Sequence, residues 1–206
     1  MQKKVWLYIA AILLAVNVAA SPVKAAGTKN PEVVMKIKNC GELTLELFPK
    51  DAPATVAHFL HLVNTKFYNG ILFHRVVPHF VAQAGDPASK KLKGSEIAHM
   101  DPTQVSQLYG LGAGGSGTNV PFEQNSLKNE PGTIALALSS PASATGDSQF
   151  FINLVYNKFL DGQYCVFGKV VKGMNLITKI KQGDRILFMK ELNPKQTVLK
   201  KTKKAK

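Results

Sequence analysis

What most limits the fold of this chain is a succession of short β-type runs that never alternate with helices in a strand–helix–strand rhythm. "EVVMKI" and "ELTLELF" flank Asn39-Cys40-Gly41, which reads as a hairpin turn. "FHRVV" and "FVAQAGD" flank a second turn at Pro78-His79, with an earlier one at Asn69-Gly70. "GTIALAL", "SQFFINLV", "YCVFGKVV" and "DRILFMKEL" supply further strands, and Phe150, Ile152 and Leu154 of the second read as its core face. Only two segments have helical spacing. One carries Val56, Phe59, Leu60 and Val63 behind Asp51, the expected N-cap, and Pro53 in the first turn. The other is the short "GMNLITKI". Pro87 to about Thr118 is Gly-rich and polar and reads as loop. This pattern predicts an antiparallel barrel or sandwich capped by helices.

The ends of the chain differ from its middle. "MQKKVWLYIAAILLAVNVAASPVKAAG" places two lysines before an apolar run and small residues after it, the pattern of a signal peptide over residues 1–25. Cleavage fits after Ala25 or after Ala20. The run is about 16 residues, short of the roughly 20 that span a bilayer. The net charge of +13 is concentrated at the other end, where Lys195, Lys200, Lys201, Lys203, Lys204 and Lys206 crowd the terminus. Residues 194–206 therefore read as a solvated, disordered basic tail, with at most a weak electrostatic contact to anionic surfaces and no nucleic-acid role. Between these ends, residues 26–193 form one domain, expected to be monomeric and periplasmic or secreted. An oxidising compartment permits a disulfide between Cys40 and Cys165, but nothing in the sequence brings the two together.

Two polar residues stand out from the strand pattern. In "FHRVVPHFVAQAGD", period-2 alternation puts Arg75 on one face of its strand and Gln83 on one face of the next, beside Phe80. If the strands pair, a guanidinium and a carboxamide meet on an otherwise apolar surface. Other readings are weaker. His58 and His61 are three apart on the first helix, with no third ligand evident for a metal. "GLGAGGSG" from Gly110 lacks the Gly-Lys-Ser/Thr ending of a phosphate loop and follows no strand, and no cofactor is implied.

"FHRVVPHFVAQAGD", "PGTIALA", "SQFFI", "FLDGQYCVFGKV" and "GMNLI", in this order and spacing, resemble the cyclophilin-type peptidyl-prolyl isomerases of the secreted bacterial kind over about Glu32 to Leu192. The resemblance implies a closed eight-stranded antiparallel β-barrel capped by two α-helices, with the active site in a groove on its outer face. It implies that Arg75 is the catalytic arginine and Gln83 its glutamine partner. Phe80 and Phe151 then wall a proline pocket with Val81 (usually methionine), Leu160 and Tyr164 (usually histidine), and Ala137 and Gln149 border the groove. Leu138-Ser139 stands where the family commonly has an asparagine. Phe159 replaces a tryptophan whose indole N–H serves the inhibitor cyclosporin, so weak inhibition is expected. His74, within "FHR", is expected to pack or hydrogen-bond structurally.

The chemistry suits these residue types. Rotation about the amide before proline breaks the resonance that holds it planar, at about 20 kcal/mol. The twisted transition state frees the proline nitrogen to accept a hydrogen bond, and a donor placed there favours that state selectively. A guanidinium is permanently charged and presents its donors in a fixed fork. Neither nucleophile nor metal is required. The competing expectation is a chaperone that grips proline-containing polypeptides without turnover.

Overall fold

The alternation at the start of the chain becomes a hairpin. In the computed structural model, which describes residues 29–192, β1 (Glu32–Ile37) buries Val33, Met35 and Ile37, and β2 (Gly41–Leu47) buries Leu43, Leu45 and Leu47. Pairing Val33 with Leu45 and Met35 with Leu43 puts all six on one face. Asn39 at φ 63° and Gly41 at φ 134° make the turn, and both residue types tolerate positive φ. The signal peptide expected over residues 1–25 and the tail over 194–206 lie outside the described residues.

The remaining strands are β3 (Arg75–Val77), β4 (Val81–Ala84), β5 (Thr133–Leu136), β6 (Phe150–Asn153), β7 (Val166–Lys172) and β8 (Ile186–Leu192). With β1 and β2 they form one curled eight-stranded sheet in the order β3-β4-β6-β5-β7-β2-β1-β8, and every pairing is antiparallel. The edges are β3 and β8. The segments leading into them are joined by Gly70 N–H to Ile186 O and Phe73 N–H to Asp184 O, both 2.8 Å, and in reverse by Ile186 N–H to Ile71 O, 2.8 Å, and Gly183 N–H to Phe73 O, 2.9 Å.

Inside the curl, Phe59 packs at 5.1 Å from both Tyr68 and Phe167 and edge-on to Phe150 at 5.7 Å. Phe59 belongs to α1 (Pro53–Asn64), which also buries Val56 and Val63 as its spacing predicts, while Leu60 is half-buried. Each such side chain contributes about 1.5–3 kcal/mol through burial. The expected Asp51 cap is not formed. Ala52 occupies the N-cap position without a side-chain bond, and the carboxylate of Glu123 accepts the Ala54 and Thr55 N–H groups at 2.8 Å each. A carboxylate brought from elsewhere in the chain satisfies both orphan donors and sits at the positive end of the helix.

Two further expectations need correction. "GMNLITKI" forms a 3-10 turn over Met174–Lys179 between Gly173 and Ile180, not an α-helix. The segment is one short piece held between Gly173 at φ 85° and Ile180 in extended backbone, and 3-10 geometry suits such pieces. The supposed loop after Pro87 is largely ordered into a 3-10 turn (Pro87–Lys91), α2 (Gly94–Ile97) and α3 (Pro102–Tyr109). Asp101 caps α3 by accepting from Thr103 and Gln104, Pro102 opens it, and Gly110 ends it at φ 65°. Leu72, Ile97, Val105 and Leu111 form a small core beneath it, separate from the main one.

Candidate active site

The β3–β4 hairpin does what the alternation suggested. Arg75 is paired directly opposite Gln83, and Val77 opposite Val81. The intervening turn, with His79 at φ 57°, carries Phe80 back over the strand so that the Arg75 guanidinium carbon lies 5.4 Å from its ring centroid. Phe80 is held from behind by its carbonyl, which accepts from Leu154 N–H at 2.9 Å and Asn157 Nδ2 at 3.1 Å.

β4 pairs in turn with β6, bringing Gln83 opposite Phe151. Phe151 meets Tyr164 edge-on at 5.5 Å. Val81, Ala135, Phe151, Leu160 and Val166 form an apolar cluster on the outer face of the sheet, distinct from the interior core. A concavity of about 200 Å³ opens over it, lined by Arg75, Phe80, Val81, Gln83, Ala137, Leu138, Phe151, Leu160 and Tyr164. Eight of these nine were site residues expected from the sequence; Leu138 is the addition.

The other two expected residues lie beside it. Gln149 links the pocket to its flank: its Oε1 accepts from Gln83 Nε2 at 3.0 Å, and its Nε2 donates to Gly114 O at 2.8 Å. Phe159 is 69% exposed and stacks on Phe80 at 5.7 Å with 19° between the ring planes, so it forms the rim and not the wall.

Arg75 is half-buried and, among the described residues, its guanidinium has no hydrogen-bond acceptor or carboxylate partner. Burial lowers its pKa and the nearby Tyr164 hydroxyl raises it, but a guanidinium remains charged in a protein. An unneutralised cation at the mouth of an apolar pocket is costly unless a ligand uses it. Behind it, His74 packs without hydrogen bonding: it is 3% exposed, neither ring nitrogen has a partner among the described residues, and burial pushes its pKa down to about 4, helped by Arg75 and opposed by Asp86.

Sequence reading missed how the glycine-rich loop is held. Buried Asp86 accepts Gly112 N–H at 2.8 Å and Gly114 N–H at 3.0 Å. Asp147 accepts Gly117 N–H at 2.8 Å, His58 Nε2 at 3.1 Å and the Ser116 hydroxyl. A Cβ on Gly114 would meet the Asp86 carboxylate, and one on Gly115 that of Asp147, so the loop needs glycine there. Burial opposes ionisation of Asp147, but the hydrogen bonds from Ser116, His58 and Gly117 outweigh it and hold the carboxyl below its usual range. His58 is engaged with Asp147, and His61 lies exposed in the last turn of α1. Ser116, His58 and Asp147 do not form a nucleophile relay, because one imidazole nitrogen, Nε2, faces both the carboxylate and, at 3.5 Å, the hydroxyl. A second unforeseen device is a chain of buried amides, Asn157 to Asn153 at 2.7 Å and Asn153 to Asn129 at 3.1 Å. With Asp161, which accepts Asn129 N–H at 2.8 Å, it fixes the segment carrying Phe159, Leu160 and Tyr164. Cys40 and Cys165 are free thiols.

Residues 32–203 match the family model described as cyclophilin type peptidyl-prolyl cis-trans isomerase/CLD. The chain belongs to the cyclophilin family. A probable peptidyl-prolyl cis-trans isomerase of Brucella suis is 39% identical over 84% of this chain and 83% of its own length. A peptidyl-prolyl cis-trans isomerase of Helicobacter pylori is 40% identical over 72% of this chain and 79% of its own. Among solved structures, a Cryptosporidium parvum cyclophilin type isomerase in the presence of the dipeptide Ala-Pro matches with a TM-score of 0.60 and 26% identity, covering 77% of this cyclophilin and 96% of that chain. The enzyme class is therefore peptidyl-prolyl cis-trans isomerase, within a mostly β, antiparallel, cyclophilin-like fold.

Proposed function

We propose that this cyclophilin accelerates rotation of X-Pro bonds in exported or unfolded polypeptides, non-covalently, with Arg75 stabilising the twisted amide. The observation that carries the reading is the Arg75 guanidinium, without a hydrogen-bond acceptor or carboxylate partner among the described residues, opposite Gln83 at the edge of an apolar concavity of about 200 Å³. A proline ring is apolar, rigid and small, and suits Phe80, Val81, Phe151, Leu160 and Tyr164. Gln83 spends its amide N–H₂ on Gln149 and so keeps its carbonyl oxygen to orient Arg75 or a substrate N–H. As the amide twists, its nitrogen becomes basic and the guanidinium gains a charge-assisted hydrogen bond that the planar state lacks. Low local dielectric strengthens that bond.

The export part of the proposal rests on the signal-like residues 1–25, and the basic tail adds a weak attraction to anionic surfaces. We take the domain as a monomer and read the four-bond seam between residues 70–73 and 183–186 as closing the sheet into a barrel. Ala-Pro accompanies the Cryptosporidium parvum relative, and proline-containing segments are the proposed substrates here. The test is exchange spectroscopy on a proline peptide: the protein should accelerate cis/trans exchange and Arg75→Ala should lose about 100- to 1,000-fold of that acceleration, the cost of deleting one transition-state donor. Full activity in Arg75→Ala would refute the mechanism, and binding without acceleration by the unaltered protein would favour the chaperone alternative.

A further inference from the structure

A wider concavity, of about 970 Å³, leads from Arg75 and Gln83 away from the proline pocket toward α3. Its far wall is polar: Asp101, Thr103 and Ser106 line it, with Leu111 and Gly112 on the near side. The wall is anchored from behind. Val105 and Leu111 are buried with Leu72 and Ile97, and Gln182 Nε2 ties down the chain before α3 by donating to Ile97 O at 2.7 Å and Met100 O at 2.6 Å. His74 also lines this concavity, but its ring nitrogens are buried, so the polar groups a ligand meets there are those of Asp101, Thr103 and Ser106.

Asp101 is the one carboxylate among the lining residues. Its cap role occupies Oδ1, which accepts from Thr103 N–H at 2.8 Å and Gln104 N–H at 3.0 Å. Oδ2 has no hydrogen-bond partner among the described residues, and the side chain is exposed. The cavity thus carries a cation at the end where the proline reacts and an anion at the end that a neighbouring side chain would reach.

We propose that this concavity is a specificity subsite for a basic residue, Lys or Arg, flanking the proline, with Asp101 as the residue that selects it. The inference rests on the reading of Arg75 and its pocket as the place where the proline binds. It makes a prediction opposite to the overall field: a chain with net charge +13 attracts acidic peptides in general, whereas the subsite favours basic ones locally.

Three peptides that differ only in carrying Lys, Ala or Glu beside the X-Pro pair, with each flank varied in turn, separate these possibilities. Exchange spectroscopy yields both dissociation constant and turnover for each. An exposed ion pair is worth up to about 1 kcal/mol, so on one flank the Lys peptide should bind about three- to fivefold more tightly than the Glu peptide at low salt. Asp101→Asn should abolish that preference, because Asn caps a helix as well as Asp and only the charge is lost. Tighter binding of Glu on both flanks, or a Lys preference that survives in Asp101→Asn, would overturn the inference. A Lys preference in binding with no turnover of any peptide would sustain the subsite and refute the arginine mechanism.

Discussion

Acid should weaken this protein through one residue, His74. It is 3% exposed, its two ring nitrogens have no hydrogen-bond partners among the described residues, and burial pushes its pKa down to about 4. In the unfolded chain a histidine titrates near 6.5. Between those values the unfolded state binds a proton that the native state refuses, so stability rises with pH through this window. As pH falls from about 6.5 to about 4 the penalty grows by roughly 1.4 kcal/mol per unit, to about 3 kcal/mol in all. Against a typical total of about 5–15 kcal/mol this is a large fraction. The assay compares the protein with His74→Leu, which cannot take up the proton, so that the titration of groups common to both proteins cancels. Urea unfolding at pH 7.5 and pH 5 should show the unaltered protein losing about 2 kcal/mol more than the variant over that interval. The variant should be near-neutral in stability at pH 7.5, because it removes two buried groups that have no partners. Parallel pH dependence in the two proteins would refute the reasoning.

Removing the remote cap of α1 with Glu123→Gln should cost about 1–2 kcal/mol in urea unfolding, since the amide oxygen can replace one of two charge-assisted bonds at the helix N-terminus; Asp51→Asn should cost nothing measurable. Burial pushes the Cys165 thiol up to about 11, so at pH 8 an aromatic disulfide reagent should titrate Cys40 alone in the native protein and both cysteines after denaturation. Phe159→Trp should raise cyclosporin affinity at least about fivefold by restoring an indole N–H donor at the rim, as read from inhibition titrations; equal affinities would show that this position does not govern the drug.

How far these features were legible depends on the range of the interaction behind each. The β1–β2 hairpin and the meeting of Arg75 with Gln83 follow from alternation across a short turn, where a few residues determine both register and face. The concavity beside Arg75 is three strands wide, yet eight of its lining residues were named, because the motif resemblance carried positions that periodicity alone could not connect. Glu123 was invisible as a cap because its partners, Ala54 and Thr55, stand about seventy positions earlier. The same holds for Asp86 and Asp147, whose acceptance of glycine-loop N–H groups has no local signature. The α3 segment was misread for a different reason. Asp101-Pro102-Thr103-Gln104 and Gly110 spell a start and a stop, but the only buried residue within the helix is Val105, too sparse a stripe to register as amphipathic.

The central claim is that Arg75 acts on the twisted amide and not on the ground-state peptide, and the measurement that tests it most directly is the separation of binding from turnover in Arg75→Ala. Exchange spectroscopy on one proline peptide gives both quantities from the same sample. The account predicts that the exchange rate of the bound peptide falls about 100- to 1,000-fold while its dissociation constant changes by less than about tenfold. A loss appearing wholly in the dissociation constant, with bound-state exchange unchanged, would contradict it and make Arg75 a binding residue alone.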